Sequence, residues 1–515
     1  LLRNHSSAKE KGGEPVLSLQ NMHSPRTFMR ANVQALLQRI NQLFTSPLRL
    51  GGFQPPLLRI SCRLGERGKT LMSLMTLMSE RLADGRPLRV GLIGAGKFAS
   101  LFLAQARHLP PLHVAAISHP DIERAHTALA LAMWPPAKAV ARSLSEAFAT
   151  GGTWVTDDPM AMLEQTGLDV VIESTNSPLA AGNALAAMAN DIHVIMASIE
   201  ADAALGPYLA RQARLQGVIY SLAYGDQPSL ICEMVDWARA CGFEVAAAGR
   251  GIAWKPGHET VGPDQVWSHL GISPEQARAK DLDPRTATAS LDGTRAALEL
   301  ASVCNATGLR PPANGLTCPP CGTHDLPHIF RPVADGGRLE TMGVVEAASC
   351  LEPDGRAVHG GLRWGVFATF TSPSPHTTLS FSEYGLLTDS SGCYAARWRP
   401  HRLAGLEASL SVASVCLRGE HTGCPRDWIA DVASIAKTDL AAGTVLDGIG
   451  GSSVRGILVA SGHAVTTGSL PVSLSQGAVL RRPVAAGQTI GLADVDLPAE
   501  IAHLLEMRAA MVPVG

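Results

Sequence analysis

From Leu88 onward the chain alternates short apolar runs with stretches in which apolar residues recur at helical spacing. "LRVGLI", "HVAAIS", "TWVTDD", "LDVVIE", "HVIMAS" and "VIYSLA" read as six successive strands. Between them, "KFASLFLAQARHL", "DIERAHTALALAM", "PMAMLEQTG", "SPLAAGNALAAMAN" and "DAALGPYLARQARLQG" read as helices, and the glycine after "PMAMLEQT" is a stop signal. Strands that are apolar throughout, each followed by a helix, predict a parallel sheet covered on both faces.

The pattern changes after the sixth strand. Residues 225 to 400 read as mixed strands and helices with many turns. The clearest pieces are the helices "SLICEMVDWARACG" and "GTRAALELASVCNATG" and the strands "FEVAAAG" and "RWGVFATF". In "RLAGLEASLSVASVCLRG", Leu403, Leu406, Leu410 and Leu417 fall on one helical face. Near the end, "DLAAGTVLDG" recurs in form as "PVAAGQTIGLADV", with "LPVSLSQGAVLRR" between them, which reads as a small β-rich module. Residues 1 to about 70 are irregular in pattern. The chain also opens on Leu1 rather than Met, so this stretch is expected to be poorly ordered or to lie upstream of the native start. The predicted organisation is an extension over 1–71, a nucleotide-binding domain over 72–224, a catalytic and dimerisation domain over 225–428 and a β-rich domain over 429–515.

Composition narrows the function classes. At 515 residues, with 46% hydrophobic and 17% charged residues, the chain can bury a sizeable core. A net charge of -2 gives no broad electrostatic footprint for nucleic acid or an anionic membrane. No run is apolar for the roughly 20 residues a bilayer span takes. Ten scattered cysteines read as reduced thiols, and the expected location is cytoplasmic. Cys318 and Cys321 in "CPPCGTHD", with His324 nearby, resemble half a zinc site or a redox pair. A structural zinc needs four ligands, so a rigid loop is the preferred reading.

"RVGLIGAGKFAS" places Gly94, Gly96 and Ala99 in a G-x-G-x-x-[GA] pattern between the first strand and the first helix. In that context Gly94, Gly96, Lys97 and Phe98 are candidate dinucleotide ligands, because exposed amides at a helix start hold a pyrophosphate. His119 stands where an acid that bonds the ribose of NAD is expected. With Arg124 nearby this favours NADPH, while Asp121 leaves NADH open. Further candidates sit at strand ends, where a doubly wound sheet binds its ligands. Thr175, Asn176 and Ser198 are assigned to the cofactor, although Ser174 or Ser177 can cap the following helix instead. Glu200, Asp202 and Asp226 are candidates for a divalent cation, Mg²⁺ or Mn²⁺, with Glu200 and Asp226 also catalytic. In the bland reading Asp202 caps a helix and Glu200 forms a surface pair. "GRGIAWKPGHE" supplies Arg250 or Lys255 for a substrate phosphate, and His258 as an acid–base group alongside Lys255; a solvated charged loop is the competing reading. Asp292 and Arg295 lie one helical turn apart and are assigned to substrate. "VWSHL" reads as packing.

Several of these segments resemble one family. "RVGLIGAGKFAS", "VIEST", "SLAYGDQPSLICEMVDWARACGFEV", "LDGTRAALELASVCNATGL" and the terminal AAG repeats are similar to the homoserine-dehydrogenase-like oxidoreductases with a C-terminal SAF domain. That group includes the 1-deoxy-D-xylulose 5-phosphate reductoisomerase-like enzymes of isoprenoid precursor biosynthesis. The resemblance implies a Rossmann domain, a central α+β catalytic and dimerisation domain, a SAF module, a homodimer, and a late helix over 402–416 that returns to the nucleotide domain. It implies an NADPH-dependent reductoisomerase acting with a divalent metal on a small phosphorylated hydroxy-ketone. The alternatives are a dehydrogenase of another hydroxy-acid, aldehyde or sugar-derived substrate, and a non-catalytic nucleotide sensor whose SAF module binds carbohydrate or a partner. Ser198 and Ile199 replace the Asn and Lys of homoserine dehydrogenases, which argues against homoserine oxidation.

Overall fold

The computed structural model describes residues 73–280 and 282–512, so the expectations about the first seventy residues lie outside the described residues. After a helix α1 (Leu74–Ala83), six strands build one parallel sheet: β1 (Leu88–Ile93), β2 (Leu112–Ser118), β3 (Trp154–Thr156), β4 (Val170–Glu173), β5 (His193–Met196) and β6 (Tyr220–Leu222). Their order is β3-β2-β1-β4-β5-β6. The intervening helices are α2 (Lys97–Ala106), α3 (Ile122–Leu131), α4 (Leu144–Thr150), α5 (Pro159–Leu163), α6 (Ala180–Ala189) and α7 (Ile199–Gln216). This is the doubly wound arrangement read from the apolar pattern. The pattern missed α4, whose seven residues span barely two turns. The order reverses between β1 and β4, and that switch point opens a crevice at the strand ends.

A second, mixed sheet follows. Helix α8 (Gln227–Ala240) leads to β7 (Glu244–Ile252), then to the short helices α9 (Val266–Leu270), α10 (Pro274–Ala279) and α11 (Pro284–Leu291) and the long α12 (Thr294–Thr307). After α13 (Leu326–Ile329) come β8 (Val344–Ser349), β9 (Val366–Thr371), α14 (Pro375–Ser380), β10 (Leu387–Thr388) and β11 (Ala395–Arg399), in the order β10-β11-β9-β7-β8. Phe330, Leu326 and Cys321, from the excursion before β8, pack with Ala246, Phe367 and Ala396 of the sheet. Cys318 and Cys321 are both buried free thiols, held above the ordinary thiol range by burial. Among the described residues no group of three or more His, Cys, Asp or Glu is placed to hold a metal ion.

The late helix is shorter than its leucine spacing implied: α15 (Ala408–Ala413) runs into a π-helical turn at Ser414–Arg418. Its buried face is not the leucine stripe. Leu403 and Leu410 are exposed, while Ala408, Val412 and Ala413 pack with Leu88, Val90 and Phe102 of the first sheet. Gly405 explains the choice, because a Cβ there would stand 2.5 Å from the Phe98 carbonyl. Small residues therefore let the segment lie directly on α2.

The C-terminal region comprises β12 (Ala430–Ala436), β13 (Val454–Ala460), α16 (Ser461–Thr467), β14 (Val479–Leu480), β15 (Val495–Asp496) and α17 (Ala499–Ala509). The two sequence repeats meet each other. Leu440 and Val484, at equivalent positions, exchange backbone hydrogen bonds of 2.9 Å in an antiparallel bridge. The region does not stand apart from the rest. Val432, Leu458 and Leu474 share one continuous apolar cluster with Leu205 of α7 and Leu298 of α12. No helix of the described residues is long and apolar enough to cross a membrane.

Candidate active site

The glycine turn sits at the carboxyl end of β1. Gly94 has φ +103°, and a Cβ there would come within 2.7 Å of the Ser174 carbonyl. Only glycine permits that turn and that approach. Gly96 has the opposite surroundings: a Cβ would meet nothing within 4 Å, and as N-cap of α2 it offers no side-chain hydrogen bond to the helix. The first amides of α2, at Lys97 and Phe98, are thus left for an anion in open space. The donor set fits a dinucleotide pyrophosphate.

At the end of β2, Ser118 is buried and its Oγ has no partner. His119 Nδ1 lies 2.9 Å from the Asp121 carbonyl oxygen and accepts from the Asp121 amide at 3.0 Å. The Asp121 carboxylate caps α3 by accepting from the amides of Glu123 and Arg124. Both bonds engage its Oδ1.

A buried carboxylate that the sequence did not single out organises the next strand end. Glu173 accepts from the Thr175 hydroxyl at 2.6 Å, the Thr175 amide at 2.9 Å, Asn183 Nδ2 at 2.8 Å and Ser198 Oγ at 3.3 Å. Burial raises its pKa, and these donors oppose the rise. Ser198 Oγ in turn accepts from the Asn176 amide at 2.9 Å, where Asn176 has φ +57°. Thr175, Asn176 and Ser198 therefore form one locked turn beside the crevice. The signal for Glu173 was in the sequence, an acid ending an apolar strand, but nothing local marked it as fully buried.

Around Arg295 the structure corrects the metal assignment. Glu200, Asp202 and Asp226 do not converge on a common point. A guanidinium occupies the centre of the cluster: Arg295 stands 2.7 Å from Glu299, 3.5 Å from Glu200 and 3.6 Å from Asp226. Burial acts against the charge on Arg295, but Glu299, Glu200 and Asp226 outweigh it and raise its pKa. Asp202 points elsewhere, accepting from the Tyr220 hydroxyl at 2.7 Å, and burial pushes its carboxyl up to about 6. Asp226 caps α8 through the Gln227 amide and pairs with Arg402 Nη1 at 2.7 Å. Burial alone would raise its pKa, yet Arg402 and Arg295 hold it below the usual carboxylate range. The two arginines thus favour the ionised form of Asp226. Arg402 has no sequence signal, being a single arginine in a loop 176 residues from its partner.

The loop after β7 is corrected as well. Arg250, expected to hold a substrate phosphate, is buried against Glu299 and donates to it. Burial lowers its pKa, with Glu299 opposing. His258 is buried with both ring nitrogens unpartnered, its ring edge-on to His269 at 5.5 Å between centroids. Burial, with His269 next, depresses it to about 4, so it is neutral near pH 7 and a weak base. A Cβ at Gly355 would lie 3.1 Å from Lys255 Nζ, which places that ammonium over the 355 loop. Asp292 pairs at 2.8 Å with Lys437 of the C-terminal region. Neither Lys255, His258, Arg250 nor Asp292 lines the principal cavity.

That cavity has a volume of 460 Å³. Asn176 and Glu200 bound it on the side of the first sheet, Arg285 and Arg295 on the side of α11 and α12, and Ser473 and Gln476 on the side of the C-terminal region. Glu200 is 6% exposed, and its Oε2 has no hydrogen-bond partner. Burial raises its pKa more than the Arg295 charge lowers it. A buried carboxyl that keeps its proton to higher pH, on a residue that lines a cavity, is suited to acid–base work.

Residues 225–408, which contain Asp226, Arg250, His258, Arg295 and Arg402, match the family model described as Oxidoreductase DRL, catalytic domain. A search of curated proteins gave no match. Among solved structures, the WlbA dehydrogenase of Bordetella pertussis, solved with NADH and UDP-GlcNAcA, is 19% identical with a TM-score of 0.24, over 34% of this chain and 49% of that one. Biliverdin reductase of Synechocystis, solved with biliverdin and NADP+, is 17% identical with a TM-score of 0.23, over 33% and 48%. A probable dehydrogenase of Thermotoga maritima is 15% identical with a TM-score of 0.32, over 65% and 90%. The chain spans about half the length of the first two, and at these scores the overlaps carry no argument.

Proposed function

We propose that the protein is an NAD(P)-dependent oxidoreductase acting on a small hydroxy- or carbonyl-bearing substrate. The observation that carries the reading is the turn from Gly94 to Phe98, with its open Gly96 and uncapped helix start, at the switch point of the sheet and beside the locked 173–176 turn. The catalytic-domain match over 225–408 supports it.

Gly94, Gly96, Lys97 and Phe98 would hold the pyrophosphate, and Ser118 with His119 would face the adenosine ribose. With His119 at the end of β2 and the Asp121 carboxylate engaged through Oδ1 as a helix cap, NADPH is the preferred form. The dinucleotide supplies or accepts a hydride when bound. Thr175, Asn176 and Ser198, fixed through Glu173, give that end of the crevice its shape. Glu200 moves the proton: protonated, its carboxyl donates to a carbonyl oxygen that becomes a hydroxyl, and ionised it takes the proton back in the reverse direction. Arg295 holds Glu200 in place and sets how readily it ionises. Of the acids proposed for a metal, Glu200 and Asp226 are paired with arginines and Asp202 accepts from Tyr220, so no metal step is invoked.

A finer possibility within this reading is the reductoisomerase-type substrate, a small phosphorylated hydroxy-ketone. The test is quenching of NADPH fluorescence by the purified chain. NADPH oxidation with 1-deoxy-D-xylulose 5-phosphate, and NAD(P)+ reduction with homoserine, are then measured. Tight NADPH binding with turnover of the phosphorylated hydroxy-ketone, and none of homoserine, is the expected result. Failure to bind either dinucleotide sinks the oxidoreductase reading, while binding without turnover moves the substrate to another hydroxy-acid, aldehyde or sugar derivative.

A further inference from the structure

The cavity beside Glu200 is closed on its far side by the C-terminal region, and the contacts there are of a different kind. Arg285, on α11, donates to the main-chain carbonyls of Asp447 and, at 3.1 Å, of Ile449. Those two bonds fix the guanidinium without neutralising it. No ion pair among the described residues includes Arg285, and the Asp447 carboxylate accepts instead from the amides of Ser452 and Ser453. Arg295, the other cation at the cavity, is surrounded by three acids. Against burial, the charge of Arg285 helps hold the Asp447 pKa down, so that acid offsets it in part, and Arg285 is the cavity's cation without an ion-paired acid among the described residues. Ser473, buried, and Gln476, exposed, stand on the same wall and offer a hydroxyl and an amide.

From this we infer that Arg285, Ser473 and Gln476 form a subsite for the anionic terminus of the substrate, so that the C-terminal region helps to select it. The inference rests on the oxidoreductase reading for the identity of the reacting end, which lies at Glu200 and Asn176 across the same cavity. A guanidinium anchored through one edge presents its remaining N–H groups as a fork to a planar carboxylate or a phosphate. Two acids also line the space, and neither defeats the assignment. Asp283 is turned into the cap of α11, accepting from the Thr286 amide at 2.7 Å and hydroxyl at 2.6 Å. Glu500 lies exposed in the first turn of α17, where water and salt screen it. The ligand class is a short hydroxylated carbonyl compound with one carboxylate or phosphate end.

The experiment is titration calorimetry of the NADPH-loaded full chain with inorganic phosphate and, separately, with glycerate. The same titrations are run on Arg285→Gln and Gln476→Leu, with NADPH affinity measured on each protein. Arg285→Gln keeps donors for the two carbonyls, and Gln476→Leu leaves the clasp untouched, so at least one variant keeps the fold. At least one anion is expected to bind the native chain at millimolar concentration or better. Binding should weaken about tenfold or more in Arg285→Gln and severalfold in Gln476→Leu, with NADPH affinity unchanged. The preferred anion tells a phosphate end from a carboxylate end. Unaltered anion binding in both variants, or no binding of either anion to a chain that binds NADPH, overturns the subsite alone. Loss of NADPH binding by the native chain instead counts against the oxidoreductase reading.

Discussion

Lys437 Nζ lies 2.8 Å from Asp292 Oδ2, and both side chains are fully buried. The pair joins the strand end after β12 to the turn between α11 and α12, immediately before the helix that carries Arg295. Lys437 also donates to the carbonyls of Val261, at 2.8 Å, and Gly451, at 2.7 Å. Asp292 accepts from the Thr294 amide at 2.9 Å. A charge so placed is tolerable only while its partner is present. Lys437→Met is expected to cost roughly 3–5 kcal/mol, read as a lowered midpoint in urea denaturation, and Asp292→Asn added to it should recover much of the loss. Equal stability of native chain and single variant would show that the two regions are not coupled in this way.

Glu200→Gln keeps the shape of the site and removes the titrating oxygen. Turnover is expected to fall by about 10²- to 10⁴-fold, with NADPH affinity unchanged. Because burial raises the Glu200 pKa, the native enzyme should lose reductive activity as pH rises through that raised value, and the variant should lack this limb. A pH profile of kcat with the same limb in both proteins would assign the proton to another group.

Asp202 gives a stability signature instead. Its folded pKa of about 6 lies above the ordinary value of 3.8, so the native state holds a proton that the unfolded chain has released. The contribution of this group is fully favourable below the unfolded value and is lost as pH climbs to about 6. Asp202→Asn keeps an acceptor for Tyr220 and removes the charge, so it should be more stable than the native chain at pH 7, by at most ~3 kcal/mol. The gain should vanish below the ordinary carboxylate range. Melting curves across that interval decide the matter, and a pH-independent difference would refute the linkage.

Two glycines two residues apart should behave in opposite ways. Gly94→Ala forces a Cβ to 2.7 Å from the Ser174 carbonyl at φ +103°, and the fold should lose stability by about 1–3 kcal/mol or more. Gly96→Ala meets nothing within 4 Å, so the melting temperature should hold while NADPH affinity drops. Retained affinity in a stable Gly96→Leu variant would mean that the dinucleotide does not approach this turn.

Much of the first sheet was legible because its forces are local. A strand covered on both faces must be apolar throughout, and a helix lying on it must repeat every 3.6 residues, so β1 to β6 and most of their helices appear in the pattern. The glycine turn was readable for the same reason, since its geometry is set by Gly94 and its immediate contacts. The failures were those of distance. Leucine spacing pointed to one face of α15, but the close approach of Gly405 to Phe98 buries its small-residue face. Three carboxylates at strand ends suggested a cation; for Glu200 and Asp226 that cation is Arg295, reached from α12, while Asp202 meets Tyr220.

By itself the sequence determined the succession of strands and helices and the glycine turn between the first strand and helix, and showed that two terminal segments repeat in form. Each depends on residues that are neighbours along the chain. Only the tertiary structure decided which charges neutralise one another, because Arg402 meets Asp226 across 176 residues and Arg285 reaches the 447–449 carbonyls across more than 160. Ion pairing falls off with distance in space and is blind to distance in sequence. That is why Arg285 is the cavity cation without an ion-paired acid among the described residues and Glu200 a buried carboxyl beside it, facts that no local pattern records.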